Sequence, residues 1–133
     1  MKRFVLSVLS ALALGSALAQ GYPAKPIKFI VPFTAGSATD IVARTVGESM
    51  SRSMGQPIVI ENKLGAGGTI AAAQVAKSEA DGYTILVHSS AHALNPALYP
   101  NPGYDTLKDL TGVTALAAIP NVLVVHPNKG WKT

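Results

Sequence analysis

Cysteine is absent from the 133 residues. That excludes a disulfide scaffold, a thiolate metal site, a cysteine nucleophile and a lipid-modified N-terminal cysteine. Charge is scarce too: 14% of residues are Asp, Glu, Lys or Arg, and the formal net charge is +4. With 48% hydrophobic residues, so small a net charge excludes a disordered chain. Aromatics make up only 6%, and no Lys/Arg cluster stands beyond the first residues. Nucleic-acid binding needs both a basic stripe and stacking surfaces, so it is excluded. No apolar run reaches the ~20 residues of a membrane span. The 12 glycines and 9 prolines show no period, which excludes a collagen-like or low-complexity chain. What remains is one globular domain, or part of a larger one.

The N-terminus reads as a leader. Lys2 and Arg3 precede a mostly apolar run over residues 4–14, and Ala17-Leu18-Ala19 fits the small-x-small cleavage pattern. Residues 1–19 are expected to be a signal peptide and the protein to be exported. Gly15 and Ser16 break the run early, against an uncleaved anchor. Cleavage after Ala19 would leave nine basic against seven acidic residues, so the high isoelectric point is no argument for an acidic partner.

Beyond the leader the chain alternates strand and helix signals. Ile27-Lys28-Phe29-Ile30-Val31, Ile58-Val59-Ile60 and Thr84-Ile85-Leu86-Val87 are short runs rich in β-branched residues, suited to strands covered on both faces. Between the first two, Ile41, Val42, Val46, Met50 and Met54 predict one apolar helix stripe, with Glu48 and Arg52 as an i, i+4 pair elsewhere. Ser37 or Thr39 offers its N-cap; Gly55 and Pro57 mark its stop. A second helix is expected over residues 69–78, with Ala71-Ala72-Ala73 permitting close packing on a sheet. Asp81-Gly82 turns the chain into the third strand. This rhythm predicts a doubly wound α/β layer with a mostly parallel sheet. After Val87 comes a turn-rich segment (Asn95-Pro96, Tyr99-Pro100, Asn101-Pro102-Gly103). Residues 113–119 and 122–125 then read as strands.

In open α/β sheets, ligands bind outside the carboxyl ends of the strands. Three loops lie there, over residues 32–40, 62–69 and 88–92, all rich in small and hydroxyl residues. Two of them enter helix N-termini, where free backbone N–H groups and the helix dipole attract anions. They read either as tight capped turns or as a cradle for a small anion. No dinucleotide fingerprint is present, because position 70 is Ile where the third glycine would stand, and no Walker pattern occurs. His88 is followed by Ser89, not the Glu of a metalloprotease helix, and there is no G-x-S-x-G elbow. No metal site, cofactor or catalytic residue is assigned. Asp40 reads as a first-turn residue favouring the helix dipole and Glu61 as solvated or paired; the methionines read as core. His126 and Trp131 carry no assignment.

The chain resembles a known family. The carrying residues are Tyr22-Pro23-x-Lys25-Pro26-Ile27 and Ile30-Val31-Pro32-Phe33-x-x-Gly36-x-x-Thr39-Asp40. Next come Gly55-Gln56-Pro57-Ile58-Val59-Ile60-Glu61-Asn62-Lys63, Gly65-Ala66-Gly67-Gly68-Thr69-Ile70 and Ala80-Asp81-Gly82-Tyr83-Thr84-Ile85-Leu86. The series ends with Asn95-Pro96-Ala97-Leu98-Tyr99, Tyr104-Asp105, Lys108-Asp109-Leu110 and Pro120-Asn121-Val122-Leu123-Val124-Val125. In order and spacing they resemble the substrate-binding proteins of tripartite tricarboxylate transporters, the Bug family.

The resemblance implies a periplasmic two-domain clamshell that captures a small organic acid and hands it to a membrane permease, without covalent chemistry or insertion into the membrane after leader cleavage. Some members of the family are sensors for a signalling partner instead. The resemblance implies that ligand is held largely by backbone N–H groups and water. It places the site at Phe33, Thr34, Ala35, Gly36, Ser37, Ala38 and Thr39 of the first loop, Gly67, Gly68 and Thr69 of the second, and Ser89, Ser90, Ala91 and His92 of the third. Ser37 stands where members commonly have a second glycine. Members are also typically more than twice this length, so the expectation is an N-terminal part: an incomplete α/β lobe over residues 20–112 and a crossover over 113–133 toward a second lobe. A hydrolase using Ser89 or Ser90 with His88 or His92 is the alternative of another class.

Overall fold

A computed structural model describes residues 21–120 and 122–129. The expected leader and Trp131 lie outside the described residues. The elements in chain order are β1 (Ile27–Val31), α1 (Ala38–Met54), β2 (Ile58–Asn62), a 3₁₀ turn (Ala66–Gly68), α2 (Thr69–Ala76), β3 (Thr84–Leu86) and α3 (Ala91–Leu98), with a further 3₁₀ turn at Pro127–Lys129. The sheet runs β2-β1-β3, all parallel, with Phe29 opposite Ile60 on one side and Ile85 on the other. This is the α/β doubly wound arrangement the sequence predicts.

Period-2 alternation along β1 builds two cores. Ile27, Phe29 and Val31 pack with Ala43, Val87, Met50 and Met54 on the α1 face. Ile30 points the other way, to Ala71 and Val75 of α2. Ser37 caps α1, its hydroxyl accepting the Asp40 amide at 3.3 Å; Gly55 closes it in the left-handed conformation. The predicted stripe is corrected in one respect. Ile41 is 57% exposed, and the buried positions are Asp40, Ala43 and Gly47. Small residues let the helix lie close on β2: a Cβ at Gly47 would meet Ile58 Cγ2 at 3.1 Å.

Two other expectations are corrected. The turn-rich segment after Val87 contains α3, eight residues long with Pro96 inside it. Burial of Asn95, whose Nδ2 reaches the Tyr104 hydroxyl at 3.4 Å, and stacking of His92 on Tyr104 hold that face against the turn signals. Residues 113–119 and 122–125 form no strand: they pair with nothing among the described residues, and Val113 and Val122 are exposed. At the amino ends of the strands, Tyr22 Oη donates to the Gly82 carbonyl at 2.7 Å and Lys25 pairs with Asp81 at 2.9 Å. Glu61 pairs with Lys28 at 3.2 Å. Among the described residues no helix is long and apolar enough to cross a membrane.

Candidate functional site

The strand order makes a switch point. After β1 the chain moves to β2 on one side, then crosses back to β3 on the other, so the loops leaving β1 and β3 diverge above their carboxyl ends. In open α/β sheets that crevice is where ligands sit. The three predicted loops meet there. A Cβ at Gly68 would collide with His88 Nε2 and stand 3.0 Å from Pro32 Cβ, so the second loop lies against both others. Phe33 meets the His88 ring edge-on at 5.4 Å, and His88 lies 5.1 Å from His92. A Cβ at Gly67 would come within 2.7 Å of the Tyr99 hydroxyl. Residues 65–68 all have positive φ, including Ala66 at 43°, a backbone that L side chains rarely adopt.

The loops present neutral donors. At the start of α1 the amides of Ala38 and Thr39 have no acceptor among the described residues, and helix dipole adds to them. Ser37 Oγ accepts the Asp40 amide and Ser89 Oγ accepts the Ala91 amide, each at 3.3 Å, which leaves both hydroxyl protons available. The Thr69 hydroxyl donates to the Ala66 carbonyl at 3.0 Å and is engaged. So is the Gly36 amide, which donates to Asp40 at 2.8 Å. Thr34, Ala35, Gly36, Ala38, Gly67 and Ser90 are exposed at the rim. Phe33, Ser37, Thr39, Ser89, Ala91 and His92 are half-buried, and Gly68 and Thr69 are buried.

Two residues of this region lay outside the predicted site. One is His88, at the junction of the three loops. Its Nδ1 faces the Ser89 backbone amide at 2.9 Å, and its Nε2 is buried without a hydrogen-bond partner among the described residues. Burial first, then the neighbouring His92, hold its imidazole below the ordinary pKa, against the backbone of Ser89 and Gly67; burial lowers His92 likewise. The other is Asp40, 1% exposed and far more than a first-turn charge. It accepts from Gly36, from Arg44 Nε at 2.9 Å and from Asn62 Nδ2 at 2.8 Å. The Arg44 guanidinium, then the Gly36 and Asn62 amides, hold its carboxyl well below the usual carboxylate range. The signal was in the sequence as Asp40 and Arg44 at i, i+4, but its partner Asn62 comes from the end of another strand.

No serine hydroxyl bonds a histidine ring nitrogen among the described residues: Ser89 Oγ serves Ala91, and His88 faces backbone. Nor do three His, Asp or Glu side chains gather there as a metal site. A cleft of about 520 Å³ lies beside the second loop, on the flank of α2, lined by Thr69 together with Lys63, Gln74, Lys77 and Asn101. It is open to solvent, and the switch-point loops have the better claim because the Ala38 and Thr39 amides at the start of α1 have no acceptor among the described residues.

Comparison with known proteins bears on the family and the fold. Residues 42–133 match the model of the tripartite tricarboxylate transporter family receptor. Protein BugT of Bordetella pertussis is 45% identical over 111 residues, covering 82% of this chain and 34% of its own. Among solved structures, the periplasmic binding protein BugD is 48% identical with a TM-score of 0.64, covering 66% of this chain and 29% of that one. MatC from Rhodopseudomonas palustris, solved with bound malate, is 41% identical with a TM-score of 0.65, covering 71% and 33%. The chain spans 34–40% of the length of the curated relatives it matches. A family match that takes in most of the chain, over a fold shared with solved members, means that this chain belongs to the tripartite tricarboxylate transporter receptor family.

Proposed function

We propose that this chain is the ligand-capturing first lobe of a periplasmic solute-binding protein for a small organic acid, delivered to a membrane permease of the tripartite type. The carrying observation is the convergence of three loops at the β1/β3 switch point, with the Ala38 and Thr39 amides free at a helix start. Such donors hold a carboxylate without a cationic side chain. In this reading, residues 33–39, 67–69 and 89–92 line the site. Ser37 adds a hydroxyl donor and the leader over residues 1–19 directs export. Residues 20–112 form the lobe, and 113–133 lead toward a second one. Malate bound in MatC gives the substrate class to try first. The site binds and does no covalent chemistry.

Isothermal titration of the purified chain with L-malate, adipate and a neutral diol of similar size tests this. The reading expects saturable heat from the acids and none from the diol. Ser37→Ala should weaken acid binding about tenfold if its hydroxyl bonds the ligand, the worth of one hydrogen bond to a charged acceptor. Equal heats from acid and diol, or none from any acid, would contradict the reading.

A further inference from the structure

We propose that Asp40 is a positioning residue for the first loop, and that Arg44 cancels its charge so that the loop can receive an anion. The proposal rests on the carboxylate-binding reading above. The Asp40 side chain is 2% exposed. Its Oδ2 accepts the Gly36 amide at 2.8 Å and Arg44 Nε at 2.9 Å, and its Oδ1 accepts Asn62 Nδ2 at 2.8 Å. Asn62 Nδ2 also donates to the Phe33 carbonyl at 2.9 Å, while Asn62 Oδ1 accepts from Arg44 Nη2 at 3.1 Å. One carboxylate therefore pins both ends of the β1–α1 turn, Gly36 directly and Phe33 through Asn62. The segment it pins carries straight into the free amides of Ala38 and Thr39.

The charge matters as much as the geometry. A buried carboxylate behind this loop repels any anion held on its outer side, and weak screening makes that repulsion strong. Arg44 is the cation bonded to Asp40, and its side chain stays half in water. A clamp that were structural alone would be indifferent to the sign of charge and would affect stability only.

The test uses the 133-residue chain with three readouts: amide hydrogen exchange without ligand, NMR titration of the Asp40 carboxyl carbon, and calorimetry with L-malate. In Asp40→Ala the Gly36 amide should lose its protection while Phe29 and Ile30 in β1 keep theirs. Should that variant not fold, Asn62→Ala should loosen the turn at Phe33 in the same selective way. In Arg44→Met the Asp40 carboxyl should titrate at higher pH than in the parent, and malate should bind at least about tenfold more weakly. Arg44→Lys should restore most of that loss. Unchanged Gly36 protection in Asp40→Ala, or Arg44→Met with the parent's carboxyl titration and malate affinity, would overturn the proposal. If the parent takes up no malate, the binding reading fails separately, and exchange and carboxyl titration still decide the positioning role.

Discussion

Gly68 and His88 meet at the point where all three loops touch, and each restricts the other. Gly68 has φ of 93°, and a Cβ there would strike His88 Nε2 and crowd Pro32. Gly68→Ala should cost about 2–4 kcal/mol in urea unfolding, combining left-handed strain with overpacking. His88→Ala in the same chain should recover part of that loss, because the collision goes while the strain stays; a strictly additive double variant would contradict the contact. The same histidine sets a pH dependence. Its folded pKa lies below the unfolded value of about 6.5, so the unfolded chain binds more protons as pH falls. The contribution is fully present above that pH and is lost as pH drops toward the folded pKa. Asp40 has the same sign lower down: its pKa is depressed, so its contribution is present above the carboxylate range and is lost in stronger acid. Thermal melting between pH 7.5 and 5 should therefore show a falling midpoint, and His88→Phe should flatten that first step.

At the scale of elements, close approach of α1 to β2 depends on Gly47. Gly47→Leu should destabilise by about 1–3 kcal/mol, since the side chain has to displace Ile58 or lift the helix. An unchanged urea midpoint would mean that the helix is free to shift. Gly47 also shows why the apolar stripe of the sequence departs from the buried face of the helix. Reading for large apolar residues selects Ile41, whereas the helix packs through its smallest ones, and only the neighbouring strand reveals that. The strands themselves were legible, because β-branched runs bounded by Pro32, Pro57 and Asp81-Gly82 have few other uses. Ser37 as cap and Gly55 as stop were legible too, being local chemistry. α3 was not: Asn95-Pro96 is a turn signal, and what overrides it is burial against Tyr104, a contact made across a loop. The three loops could be placed at one sheet edge from the strand rhythm alone. The Asp40–Arg44–Asn62 network could not, because Asn62 joins it only through the parallel register of β1 and β2.

At the scale of the whole molecule, the described chain carries a small three-stranded sheet and a long exposed apolar segment. Val113, Val122, Leu123 and Val124 are each more than 80% exposed, in chain without regular structure that pairs with nothing among the described residues, while β2 and β3 are the edges of the described sheet. Exposed apolar chain and open sheet edges both recruit other chains. Light scattering should show mass rising with concentration, and Val122→Lys with Val124→Lys should reduce it; a concentration-independent monomer would contradict this. Amide NMR mapping with L-malate on a ¹⁵N-labelled chain carrying those two lysines decides whether the switch-point loops hold a carboxylate. Shifts are expected at Ala38, Thr39, Gly67, Ser90 and their neighbours, around the switch point. Shifts confined to the α2 flank at Lys63, Gln74 and Lys77, or no shifts at all, would contradict it.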